Sequence, residues 1–226
     1  MQPDSERAAA APLRDLIPGD LLAGTTRTPN SKGEATRARI IEHALELARH
    51  VGLESLSIGD LAQELGLSKS GLFAHFGSKE RLLLDVLDAA AEHFTDRIFR
   101  PAVRQPRGEA RLAALFETWL EQIDSRELPG SSCVFMASAF EWDDRQGPVR
   151  ERVVSHFRTL HATLARAVQI AIEEKQFRAD LDPEQFAHEL HGILLQHHLE
   201  ARLLRNDKAT LHARRAFEHL LADARV

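Results

Sequence analysis

The chain is predicted to be all-α, on three observations. Apolar residues recur at steps of three and four through most of its length. Helix caps and helix stops punctuate those runs. No segment sustains the period-two alternation of β-branched residues that a half-buried strand needs.

Residues 1–33, rich in Ala, Pro, Gly, Thr and Asp, lack periodicity and are expected to form a flexible tail with at most one short turn at 13–17. From Thr36 the pattern becomes helical: Ile40, Ile41, Ala44, Leu45, Leu47, Ala48 and Val51 make one stripe, and Gly52 stands where a helix stop belongs. Ser57 is a good N-cap for a short helix over 58–65, and Gly66 ends it. Ser68 caps a second short helix over 69–75, broken at Gly77-Ser78. A longer helix then runs from Lys79 towards Phe94, with Leu82, Leu83, Val86, Leu87 and Ala90 on its buried side. Residues 101–108 read as a linker by composition. Helices are expected beyond it over 109–125, 132–140, 148–175, 183–205 and 208–224. The fourth of these opens on Asp182-Pro183-Glu184-Gln185, a cap followed by proline at the first helical position.

Composition narrows the function. With 226 residues, 43% of them hydrophobic, the chain can bury a sizeable core. Its net charge of −5 means that any positive surface for nucleic acid has to be local. A single cysteine, Cys133, excludes an intrachain disulfide and a cysteine-based zinc site. No apolar run is long enough to span a bilayer, and the opening residues carry acids where a signal peptide needs bases, so a cytoplasmic protein with no membrane partner is expected.

The stretch from Ser57 to Phe76 carries the chemistry. Two short helices joined by a glycine-containing turn, with Ala62 at their crossing and Leu61, Leu65, Leu67, Leu72 and Phe76 beneath, are what a helix-turn-helix requires. Ser68, Lys69 and Ser70 start the second helix, where side chains and free amides can meet base edges and phosphates, and Gly71 lets the backbone approach closely. His75 and Lys79 lie further along the same edge, and Thr36, Arg37 and Arg39 are placed to reach flanking backbone. Ser57 and Phe73 complete the candidate DNA-binding set.

The segment Thr36-Arg37-Ala38-Arg39-Ile40-Ile41, then Gly52-Leu53, Ser57-Ile58-Gly59-Asp60-Leu61-Ala62 and Gly71-Leu72-Phe73-Ala74-His75-Phe76-Gly77-Ser78-Lys79-Glu80-Arg81-Leu82-Leu83, closely resembles the tetracycline-repressor (TetR) family over about residues 33–90. Weaker echoes of the same family lie at Phe177 to Ala187 and at Cys133 to Arg150. The resemblance implies an Ω-shaped homodimer: an N-terminal three-helix DNA-binding domain over 34–80, and a helical regulatory and dimerisation domain over 81–226. It implies repression of transcription from a palindromic double-stranded DNA operator until a small-molecule effector of unknown identity binds, and it assigns 69–75 as the reading helix with His75 and Lys79 on phosphates. One departure matters. Family members often carry a phosphate-binding tyrosine at one or both positions matching Phe73 and Ala74, and neither residue here has a hydroxyl.

In the body, Phe116, Trp119, Phe135, Met136, Phe140, Phe157 and His161 are candidate pocket residues, since an effector site is mostly apolar with a few polar groups. For each of them taken singly, ordinary core packing is the favoured reading. Phe186, Leu190, Ile193, Leu194, His197 and Ala201 form one stripe, and Leu211 and Leu220 lie on the following helix; together they are the expected dimer interface, as a four-helix contact. No cofactor or metal site is expected: His188 and His191 are three apart rather than the four of a zincin helix, and Leu72-Phe73 replace the lysine and hydroxyl of a phosphate-binding loop after Gly66 and Gly71. No catalytic grouping stands out, so an enzyme is not expected. The alternatives are a helical small-molecule-binding protein, or an activator with the same DNA-binding unit.

Overall fold

The computed structural model describes residues 31–125 and 134–226, together with Leu16. The predicted turn at 13–17, apart from Leu16, and Cys133 lie outside the described residues. Among those described, the secondary structure is helical apart from one isolated bridge between Phe177 and Arg225. The chain packs as two compact units.

The first unit holds residues 31–93 and 134–157. Its first helix, α1, spans Lys32–Val51 and begins four residues before the apolar stripe suggests. Ser31 is its N-cap, its hydroxyl accepting the Glu34 amide at 3.1 Å. The signal was present in Ser31-Lys32-Gly33-Glu34, a Ser-x-x-Glu capping box. Helix α2 (Ile58–Glu64) is capped by Ser57, which accepts from the amides of Gly59 and Asp60. Helix α3 (Lys69–Phe76) is capped by Ser68, which accepts from Gly71, and ends at Gly77 in the left-handed region that glycine enters without penalty. Helix α4 spans Lys79–Phe94. Ile40, Leu45, Leu61, Leu72, Leu82 and Val86 are all fully enclosed in one apolar cluster beneath these helices.

Two further segments join that cluster from far along the chain. Helix α6 (Val134–Trp142) buries Val134 and Trp142 there, and the first turns of α7 (Pro148–Glu173) bury Val149 and Val153. Packing therefore divides the chain differently from a cut at residue 80. The first unit keeps α4 as far as His93 and takes back residues 134–157.

The second unit holds Leu16 and residues 94–125 and 158–226. The segment expected to be a linker from residue 101 is helical at its start: beyond Phe94 the chain continues through a π-helical turn, Thr95–Phe99, into Arg100–Ala102. The wider turn lies just ahead of Pro101, whose ring would clash with a carbonyl four residues back in a regular helix. Helices α5 (Glu109–Asp124), α8 (Pro183–His198, prolonged by a π-helical turn Leu199–Leu203) and α9 (Ala209–Ala224) complete the unit with the remainder of α7. Its core contains Leu112, Phe116, Leu164, Val168, Phe186 and Phe217, with the rings of Phe116 and Phe217 stacked at 4.0 Å.

Candidate nucleic-acid interface

At the α2–α3 corner the buried and exposed residues separate cleanly. Leu72 and Phe76 point into the core of the first unit, while Ser68, Lys69, Ser70, Gly71, Phe73 and Ala74 are exposed. The result is a short helix with an exposed N-terminal turn, held by two inward residues. Ser70 Oγ lies 3.2 Å from the capping Ser68 Oγ, so one of the two hydroxyls donates to the other. The Lys69 side chain lies alongside Gly59, where an added Cβ would press on its terminal carbon. Phe73 is half exposed.

The other predicted residues are distributed unevenly. Arg39 is exposed and His75 is half-buried. The Thr36 hydroxyl donates to Lys32 O at 2.9 Å, and Ser57 is occupied as the α2 cap. Lys79 Nζ donates to Glu54 O at 2.7 Å, tying the start of α4 to the α1–α2 turn. Arg37, expected to reach backbone phosphate, is engaged within its own unit. Its guanidinium is ion-paired with Asp85 of α4, its Nε donates to His75 O at 3.4 Å, and its Cζ lies 5.0 Å from the Phe76 ring centroid. Asp85, only 8% exposed, also receives Arg81 at 3.2 Å. Burial raises the Asp85 pKa above the ordinary carboxylate value, against the pull of Arg37 and Arg81. This ionic centre was missed at the sequence level because Arg37 and Asp85 are 48 residues apart.

The α1–α2 turn is closed by residues that no local motif announces. Glu141 Oε2 accepts the Glu54 amide at 3.2 Å, and Arg145 pairs with Glu54 at 2.5 Å, which lowers the Glu54 pKa. Gly52, at φ 84° and ψ 157°, leaves no room for a Cβ against Glu141 Oε1. On α4, burial works to raise the pKa of Asp88, but hydrogen bonds from His156 and Arg152 of α7 outweigh it and hold the carboxyl below its usual range.

The proposed pocket residues divide between the units. Phe116, Trp119 and His161 lie in the second; Phe135, Met136, Phe140 and Phe157 lie in the first. Phe116 is core, and Phe140 is 74% exposed and so walls nothing within its unit. Trp119 is packed edge-on to Phe94 and lies 5.8 Å from His191, whose Nδ1 is 2.8 Å from His161 Nε2. Burial, reinforced by the neighbouring His161 and His188, lowers the His191 pKa to about 4. No group of three or more His, Cys, Asp or Glu side chains among the described residues is arranged to hold a metal ion. No described helix is long and apolar enough to cross a membrane.

The expected dimer residues divide between core and surface. Phe186, Leu190 and Leu194 belong to the core of their own unit, and His197 is enclosed with Nε2 3.0 Å from Asp124 Oδ1. Phe186, Leu190 and Leu194, already buried in that core, offer no surface to a second chain, whereas Ile193 of the same stripe is only partly buried. Ala201 and Leu220 are partly buried against the same core, while Leu211 is exposed. What α8 and α9 present outwards is a groove of about 300 Å³ lined by Gly192, Ile193, Gln196, Ala209, His212 and Ala216, with Glu200 and the edge of His197.

Residues 40–86 match the family model for bacterial regulatory proteins of the tetR family, and residues 108–217 match the tetracyclin repressor-like C-terminal domain. The chain is 36% identical over 89 residues to YuxN of Bacillus subtilis, described as an uncharacterized HTH-type transcriptional regulator; the match covers 38% of this chain and 31% of that protein. It is 30% identical over 113 residues to the HTH-type transcriptional regulator TcmR of Streptomyces glaucescens, covering 47% of this chain and 49% of TcmR. The chain thus spans half or less of the length of the curated relatives it matches. A crystal structure of a TetR transcriptional regulator from Chloroflexus aurantiacus superposes with a TM-score of 0.73 at 28% identity, over 84% of this chain and 94% of that one. With both family models matched in order and the fold shared along most of its length, the chain belongs to the TetR family of transcriptional regulators.

Proposed function

We propose that this chain is a ligand-responsive repressor that binds a palindromic DNA operator as a homodimer. The observation that carries the reading is the exposed first turn of α3, where Ser68, Lys69, Ser70 and Gly71 stand clear above a tightly packed core. That turn has the size and polarity to enter a major groove. In this reading residues 34–80 form the DNA-reading module, and residues 81–226 carry effector response and dimerisation. Phe73 supplies an apolar contact of the kind thymine methyls accept, and Arg39, His75 and Lys79 supply phosphate contacts. Arg39 gains importance because Arg37 is committed to Asp85.

The net charge of −5 supports a dimer, since two small reading surfaces share the work of holding a polyanion. The α8–α9 groove, floored by glycine and alanines, is the proposed contact, its small residues allowing a second pair of helices to approach closely. For the effector, Trp119 beside the His161–His191 pair offers the aromatic and polar mixture that small-molecule sites use. A cytoplasmic location follows from the proposed role.

The test is in vitro selection of random duplex DNA with the full chain, followed by transcript measurement in a deletion strain. A two-fold symmetric site whose downstream gene rises on deletion is the expected result. No enriched dyad would overturn DNA binding in favour of a helical small-molecule-binding protein, and a fall in the transcript would make the protein an activator.

A further inference from the structure

We propose that Arg37 and Asp85 are positioning residues that set the orientation of the reading helix. The proposal rests on the DNA-binding reading of α3 given above. Three interactions of one guanidinium converge on the C-terminal end of that helix. Arg37 Nε donates to His75 O, one of the last carbonyls of α3, which has no partner further along the helix. Its positive charge lies at the negative end of the helix dipole. Its plane lies near Phe76, the residue that anchors α3 in the core, and Nη2 is fixed by Asp85 on α4. Arg81 holds the same carboxylate from one turn earlier on α4, so Asp85 is anchored on both sides. The reading helix is only eight residues long, with two fully inward side chains, and its own packing resists rotation weakly. The clamp from α1 and α4 supplies the missing constraint.

The alternative for a basic residue at the start of α1 is a phosphate contact, and the two roles predict opposite signs. Asp85→Asn removes a negative charge close to the reading helix. If the local field or a released Arg37 governed affinity, this variant would bind DNA more tightly. If the ion pair positions α3, the variant binds more weakly despite its more favourable charge. A lysine keeps the charge of Arg37 but lacks the planar fork that serves His75 O and Asp85 together. Arg37→Lys therefore behaves like a loss in the positioning role and nearly like wild type in the phosphate role.

The experiment measures binding of wild type, Asp85→Asn and Arg37→Lys to the selected dyad site and to single-base variants of it, across a salt series, with circular dichroism reporting the folded state. We expect each variant to lose operator affinity by roughly ten-fold, the loss of about one base contact's worth of discrimination. The salt slope should stay unchanged and the discrimination between operator and variant sites should narrow, because a misaligned helix loses base contacts rather than phosphate contacts. Unchanged or tighter binding by Asp85→Asn overturns the proposal. So does wild-type affinity for Arg37→Lys, which alone decides the matter if Asp85→Asn does not fold. Loss of affinity with a shallower salt slope and intact discrimination would return Arg37 to the phosphates. Failure of the wild type itself to select a site would refute the DNA-binding reading instead.

Discussion

Replacing His191 with asparagine should make the second unit markedly less sensitive to mild acid. The ring is buried on α8 between Trp119 and His161, and burial lowers its pKa from 6.5 to about 4. A folded-state value below the unfolded one means that the neutral ring's contribution is complete above pH 6.5 and is lost as the pH falls towards 4. The whole shift corresponds to about 3 kcal/mol at 1.36 kcal/mol per unit, and the part lost between pH 7.5 and pH 5 is about 2 kcal/mol. Asparagine keeps a polar group near Nδ1 but takes up no proton. Urea denaturation at the two pH values, extrapolated to water, gives the loss for each protein. His198 and Asp88 also have lowered pKa values and contribute acid sensitivity of the same sign, but they are present in both proteins and do not touch the replaced ring, so they cancel to first order. The wild type should lose about 2 kcal/mol more than the variant on going to pH 5. Equal losses would show that His191 is hydrated enough to protonate in place, and the reasoning would fail.

Two further outcomes test other parts of the structure. Gly52→Ala should destabilise the first unit by about 1–3 kcal/mol, because φ 84° with ψ 157° is a region that only glycine occupies readily. Since the overlapping atom is the end of a flexible glutamate, a second change, Glu141→Ala, should not restore stability; full rescue in thermal melts would mean that crowding, not backbone strain, dominates. A Cβ added at Gly192 meets nothing within 4 Å, so Gly192→Arg should preserve helical content while its long charged side chain fills the groove and the proposed dimer dissociates. Sedimentation that still reports a dimer would place the interface elsewhere than the α8–α9 groove.

The sequence alone determined the parts of this protein that depend on short-range chemistry. Helix period, the caps at Ser57, Ser68 and Asp182, and the stop at Gly77 are local events, so the helix-turn-helix and its exposed Ser68–Gly71 turn could be read before any coordinates. The N-cap of α1 at Ser31 is equally local, although the apolar stripe begins only further along the helix. Tertiary structure decided which surface each stripe meets and which partner each charge finds. Periodicity shows that Phe186, Leu190 and Leu194 face something apolar, but a chain's own core and a second subunit leave the same pattern; only packing assigned them to the core. Arg37 reads as a surface cation until Asp85 comes beside it, and Glu141, Arg145 and Arg152 read as part of the body until α6 and α7 return them to the first unit. These pairings span 48 to 91 residues, a separation over which no periodicity or spacing rule carries information. Burial of the apolar faces fixes where the helices lie, and that placement decides which charges come within reach of one another.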